Sequence, residues 1–414
     1  MAKAKTPKLN LATLRRLPRG VWALGLVSLW MDISSEMIHA LLPVYLVTVM
    51  GTSMLTVGLI EGVAEALTAI TKVFSGGLSD WLGKRKILAV IGYGLAALTK
   101  PVFPLAPTVG WLVGARFIDR VGKGIRGAPR DALIADLTPQ ELRGASFGLR
   151  QSLDTVGAFL GPLLAIFLMW LTAENIPLVF WFAVLPAFVS VFLLVTRVKE
   201  PARPKKIRKV KSPLSLRELK RLGRAFWWVV AIAAVFTLAR FSEAFLILKA
   251  HSEGFSTGFV PIVVVVMNLF YAVAAYPAGV ISDNGDRLRV LALGMVLLIA
   301  ADLVLALMPG LPGVGLGVAL WGVHMGFTQG VFASLVADTA PIESRGTAFG
   351  MLNLMTGVTI LLASIIAGAF WDVVGPQGTF LAGATLAMFA LWGMIPLHRV
   401  LQRDKASLRK AAED

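Results

Sequence analysis

Residues 132–148 read ALIADLTPQELRGASFG, and residues 334–350 read SLVADTAPIESRGTAFG. Asp136, Pro139, Glu141, Arg143, Gly144, Phe147 and Gly148 recur as Asp338, Pro341, Glu343, Arg345, Gly346, Phe349 and Gly350, each 202 residues later. A second pair, GGLSDWLGKRK at 76–86 and GVISDNGDRLR at 279–289, aligns with a shift of 203. Two independent blocks at nearly one offset mark an internal duplication covering about half of the 414-residue chain.

What was duplicated follows from the residues between the blocks. The chain is 57% hydrophobic and 15% charged, against about 25% charged in a soluble domain. In water such a composition would expose large apolar patches and aggregate, so lipid is its natural solvent. A helix needs about 20 apolar residues to cross the hydrocarbon core. Twelve candidate spans meet that length, near 21–49, 55–79, 86–106, 110–136, 144–171, 177–196, 225–250, 258–282, 288–308, 313–337, 345–371 and 377–398. The repeat offset covers six of them. An even number preserves orientation across the membrane, so the two copies are parallel six-helix bundles. The expected layout is a tail at 1–20, a first bundle at 21–196, a basic linker at 197–224, a second bundle at 225–398 and a tail at 399–414.

The net charge of +16 sits in the two tails and the linker, not on a basic face interleaved with aromatic residues. Nucleic-acid binding is therefore not expected. Lys84, Arg85, Lys86, Arg143, Arg287, Arg289 and Arg345 lie in loops on the same side as these segments, and the opposite loops carry no Lys or Arg. By the positive-inside rule both termini are cytoplasmic, in a multi-pass protein of the cell membrane. The basic N-terminus lacks a small-residue cleavage site and reads as a tail, not a removable signal. With no cysteine, four scattered histidines and no nucleotide-binding loop, no metal, cofactor or enzymatic centre is expected.

The block Gly76, Leu78, Asp80, Gly83, Lys84, Arg85, after the second span, resembles the loop signature of the major facilitator superfamily, with Trp81 in place of a usual basic residue. The second copy keeps Gly279, Asp283 and Arg287. The resemblance covers nearly the whole chain. It implies twelve transmembrane helices in two pseudo-symmetric bundles that rock about a central cavity. It also implies a cytoplasmic latch, for which the candidates are Asp80, Gly83, Arg85, Asp136, Arg143, Asp283, Arg287, Asp338 and Arg345. Gly148, Gly157, Gly161 and Pro162 match the spacing of the family's antiporter motif on the fifth helix, although Ala165 and Ile166 replace its last two glycines. That spacing points to export. Small residues packing one helix closely on another would produce the same pattern.

The fourth span carries Arg116, Asp119, Arg120 and Lys123. At 1.5 Å per residue they lie from about 8 to about 18 Å into the membrane. Facing lipid, each would cost about 3 kcal/mol, so they face the bundle interior. Three roles compete for the stripe: a wall that binds an anionic solute, a proton relay with a buried carboxylate, and structural ion pairs between helices. Asp119 is placed to pair with Arg116 or Lys123 along its own helix. The candidate substrate-binding residues are Arg116, Arg120, Lys123, Arg240 and Gln329. Asp32, Glu36 and Glu243 are the candidates for proton coupling, and Arg150 with Asp154 reads as a structural pair.

The expected function is secondary active transport of a small polar, anionic molecule by alternating access. Proton coupling and export are the expected mode, and one chain holds its own complete pathway. The alternatives are a proton-coupled importer of an organic or phosphorylated anion or an anionic metal chelate, a multidrug exporter, and a lipid translocase.

Overall fold

The computed structural model describes residues 15–82, 84–200, 219, 221–284, 286–341 and 344–413. Every regular element among them is a helix. Span 1 comprises Arg19–His39 and Leu42–Thr48, span 2 Met54–Leu82, span 3 Arg85–Thr99 with Val102–Leu105, and span 4 Val109–Leu137. Arg143–Leu171 and Ile176–Arg197 form spans 5 and 6. In the second half, span 7 comprises Arg224–Ala239 and Ala244–Ser252, span 8 is Ile262–Asn284 and span 9 Arg287–Leu307. Spans 10, 11 and 12 are Gly310–Thr339, Arg345–Val374 and Pro376–Glu413. Eleven spans are long and apolar enough to cross a membrane. Span 4, with its charged stripe, is the exception by hydropathy and matches the others in length.

Three expectations need correction. Spans 1 and 7, expected to be continuous, break at 40–41 and 240–243, positions again related by the repeat. Span 3 is interrupted before Pro101, whose missing N–H cannot continue the helical ladder. The tail expected at 399–414 continues span 12 as helix through Glu413.

Spans 1, 5 and 6 pack together, as do 2, 3 and 4. Their counterparts 7, 11 and 12, and 8, 9 and 10, repeat the pattern. The halves meet where span 2 runs along span 11 and span 5 along span 8. The repeat exchanges these two contacts. Span 2 carries Gly58 and Gly62 toward the backbone of span 11, and a Cβ on Gly62 would lie 2.9 Å from Leu361 Cα and O. Asp372 of span 11 accepts from the Met54 and Leu55 N–H groups at 3.0 and 2.9 Å, capping span 2 with a negative charge at its positive end. Glu174 accepts from Gly258 N at 3.3 Å, joining the loop after span 5 to the loop after span 7. All these contacts lie on the side away from the termini, hereafter the far side.

Gly62→Val is therefore expected to loosen the far-side seal, since overpacking costs about 1–3 kcal/mol. The chain has no cysteine, so one introduced at Thr356 in the central cavity would be unique. Its labelling by a reagent applied from the far side should accelerate about tenfold or more. An unchanged rate would show that this close approach does not hold the seal.

Candidate functional site

Between the halves lies a cavity of about 380 Å³. Spans 1, 2 and 4 contribute Glu36, His39, Glu61, Glu65, Arg120 and Lys123 to its wall, and the break in span 7 contributes Arg240 and Glu243. A second cavity of about 310 Å³ continues toward the terminus side, with Asp32, Lys72, Arg126, Arg130 and Asp154 in its lining. Glu36 and Lys123 line both.

The span breaks explain how charge reaches this depth. A break frees backbone groups from the helical ladder, which a membrane protein tolerates where they are buried in protein or line a wet cavity. In span 7 the break exposes Arg240 and Glu243 to the cavity, 4.0 Å apart. Ser242 N donates to Ser364 Oγ of span 11 at 3.3 Å, which takes up one freed N–H.

The charged stripe of span 4 divides into pairs and one remainder. Arg116 donates to Glu61 at 2.7 Å; both side chains are 3% exposed. Arg120 contacts the His39 ring and lies 3.5 Å from Glu65. Asp119 does not pair along its own helix. It accepts from Lys100 of span 3 at 3.0 Å, and that ammonium also reaches Ser35 Oγ. The expectation of an Arg116 or Lys123 partner is corrected, because the fold brings span 3 against the Asp119 face of span 4. Lys123 is the remainder. It is exposed to both cavities, and among the described residues no carboxylate oxygen lies within 4.0 Å of its ammonium.

The structure thus brings Glu36, Arg120, Lys123, Arg240 and Glu243 into one cavity, with Asp32 in its continuation. Two expected substrate contacts lie elsewhere. Arg116 sits behind the wall, taken up by Glu61, and exposed Gln329 lines neither cavity. Nor is the wall a basic one, since Glu36, Glu61, Glu65 and Glu243 share it with Arg120, Lys123 and Arg240. Asn268, Tyr271 and Asn353 add uncharged polar groups to the lining from spans 8 and 11. Sequence reasoning passed over them because an uncharged polar residue in a span gives no signal of its direction.

The span 5 glycines position the acids. A Cβ on Gly157 would lie 2.8 Å from Leu29 O and 3.0 Å from Asp32 Cβ, and one on Gly161 2.7 Å from Glu36 Cβ. Spans 1 and 5 therefore touch closely at the level of Asp32 and Glu36. Pro162 is buried beside this contact, while Gly148 faces open space. Arg150 donates to Asp154 at 2.7 Å, the pair expected from their spacing.

At the terminus side, Arg85 meets Asp136 at 2.9 Å and Arg287 pairs with Asp338. The two pairs are related by the 202-residue repeat. Each joins the start of one span to the end of the next within a half. Arg345 donates to Ala337 O at 3.1 Å, and Arg143 is exposed. Gly83 and the side chains of Asp80 and Asp283 lie outside the described residues.

The family model described as Major Facilitator Superfamily matches residues 24–266 and 244–414. An MFS-type transporter of Methanocaldococcus jannaschii is 33% identical over 384 residues, covering 91% of this chain and 94% of that protein. Among solved structures, the human organic anion transporter TETRAN superposes with a TM-score of 0.64 at 18% identity, over 91% of this chain and 98% of that one. A bacterial homologue of the human lysosomal transporter Spinster, inward-facing and unoccupied, gives 0.71 at 16% identity, over 93% and 97%.

Proposed function

The chain belongs to the major facilitator superfamily, a family of secondary transporters, and from that premise we propose that it moves a small polar molecule bearing an anionic group, by alternating access and at the expense of a proton gradient. The observation that carries the anionic preference is Lys123. Among the described residues no carboxylate lies within 4.0 Å of this cation in the central cavity, so a solute anion can contact it without displacing a bound protein carboxylate. Arg240, only loosely held by Glu243, is the second anchor. The similarity to an organic anion transporter accords with this reading.

Asp32 and Glu36 are the proton carriers. They line the path; among the described residues Asp32 has no ion partner within 4.0 Å and the only ion contact of Glu36 is His39 at 3.9 Å. Glu243 joins them across the cavity. With both termini in the cytoplasm of a cell-membrane protein, the far-side seal makes this the inward-facing state. The Arg85–Asp136 and Arg287–Asp338 pairs stiffen the cytoplasmic ends of the two halves and serve as the latch. One chain supplies both walls, so a monomer suffices. The glycine pattern of span 5 favours export.

Purified protein in liposomes with an imposed pH gradient tests the reading. Labelled organic anions should accumulate against their gradient when the gradient is set for export, and collapse of the proton gradient should stop them. Movement of cationic or neutral compounds alone would overturn the anionic assignment. Accumulation that ignores the proton gradient would overturn the coupling.

A further inference from the structure

The repeat can be followed from the sequence into the packing. Gly92 of span 3 lies against Arg126 of span 4, and Gly294 of span 9 lies against Thr328 of span 10. Both members of the second pair are 202 residues beyond those of the first. The same offset carries the buried pair Lys100–Asp119 onto Asp302 and Trp321. The first half thus has a carboxylate with its own ammonium. The second half has a carboxylate in the ammonium's place, opposite an indole.

Asp302 is 0% exposed, and among the described residues neither of its oxygens has a hydrogen-bond partner. Trp321 is also 0% exposed, with its indole N–H unpartnered. Among the described residues no Lys, Arg or His nitrogen comes within 4.0 Å of the carboxylate. A Cβ on Gly383 of span 12 would lie 2.6 Å from Asp302 Oδ2, 3.1 Å from the Phe241 ring and 3.2 Å from Ala239 O. Asp302 and the break in span 7 therefore flank the same face of Gly383; at the break Ala239 ends the first segment and Phe241 is wedged against Trp321, Phe245 and Phe380. Carbonyls at a helix end have no intrahelical donor. The titratable groups nearby are His324, edge-on to Trp321 at 5.3 Å, and Arg240 and Glu243 on either side of Phe241. Span 12 presents Gly383 and Phe380 there.

An ionised carboxylate at such a place, without a cation, bears a desolvation cost that a neutral acid avoids. Where the first half fixes its charge with a lysine, the second must take its cation from outside the chain. We propose that Asp302 is a proton-binding site of the second half, holding the neutral acid against the break of span 7 in this conformation. The aromatic surroundings favour a proton over a metal cation such as sodium, because hard cations need several oxygen ligands. As the acid, Asp302 gains an O–H that can satisfy a nearby carbonyl freed by the break. Protonation then favours the arrangement of span 7 that presents Arg240 and Glu243 to the cavity. This last consequence rests on the transport reading above, whereas the bound proton is a property of the folded chain.

The test is an infrared spectrum of the purified protein in lipid at neutral pH, with aspartate carrying carbon-13 at its side-chain carboxyl. A carbonyl band of a protonated acid should be present, should move on labelling, and should be lost in Asp302→Asn. If that variant does not fold, Trp321→Phe supplies the assignment. It keeps the acid and alters its immediate neighbour, so the band should remain with a shifted frequency. Absence of a labelled acid band from the wild type overturns the proposal, as does a band unmoved by both variants. Sodium raising the melting temperature of the wild type and not of Asp302→Asn would overturn it in favour of a metal cation. None of these readings depends on a transport assay, so the proton site and the transport reading fail separately.

Discussion

Asp119→Ala is expected to lower the stability of the folded protein by about 3–5 kcal/mol, the usual cost of leaving one member of a buried ion pair without the other. The side chains of Lys100 and Asp119 are 2% and 6% exposed, so the stranded ammonium could not reach solvent without rearranging spans 3 and 4. Its remaining contact, Ser35 Oγ at 3.1 Å, is a neutral one. The pair lines neither cavity, so its loss is a matter of folding and not of solute recognition. The decisive comparison is with Lys100→Met/Asp119→Leu. Replacing both partners by apolar groups of similar size removes the desolvation cost together with the attraction, and buried pairs so replaced often lose nothing. The double variant should therefore unfold near the wild-type temperature in detergent, well above Asp119→Ala. Equal losses in the single and double variants would mean that the pair's geometry, and not its charge balance, holds spans 3 and 4 together.

The same pair marks the limit of what could be read from the chain alone. The duplication was legible because it leaves identical residues at one offset, and that offset survives in the packing of Gly92 and Gly294. The twelve spans were legible from length and apolarity, and the interior direction of the stripe from the cost of facing lipid. Partners within one helix were also legible, as Arg150 with Asp154 shows, because helical spacing fixes which residues meet. Partners between helices were not. Glu61 with Arg116 and Lys100 with Asp119 depend on rotation and depth of separate helices, which spacing does not determine. The break in span 7 was equally silent. The stretch Arg240–Phe241–Ser242–Glu243 contains neither Pro nor Gly, and it opens because tertiary contacts take up the freed groups, among them Ser364 with the Ser242 N–H. The unpaired state of Asp302 becomes visible only when the repeat is carried into space. In sequence it is one carboxylate in an apolar span.

Lys123→Gln is expected to reduce anion transport by about ten- to a hundredfold, the range associated with loss of one charged hydrogen bond, with the loss appearing as a raised KM. The fold should be indifferent to the change. Lys123 is exposed to the cavities and has no ion partner within 4.0 Å among the described residues, so its removal breaks no contact ion pair. This separates it from Arg116, whose removal would leave Glu61 buried without its cation and would lose transport through misfolding. Lys123→Arg keeps the charge and should retain most of the transport. Lys123→Glu places a like charge before the solute and should lose more than the glutamine variant. Measuring KM and melting temperature on the same preparations distinguishes the possibilities. A series in which KM follows the charge at position 123 while the melting temperature stays constant supports an anion anchor. A series in which transport is unchanged, or falls only as the protein loses stability, would remove Lys123 from the binding site and the anionic preference with it.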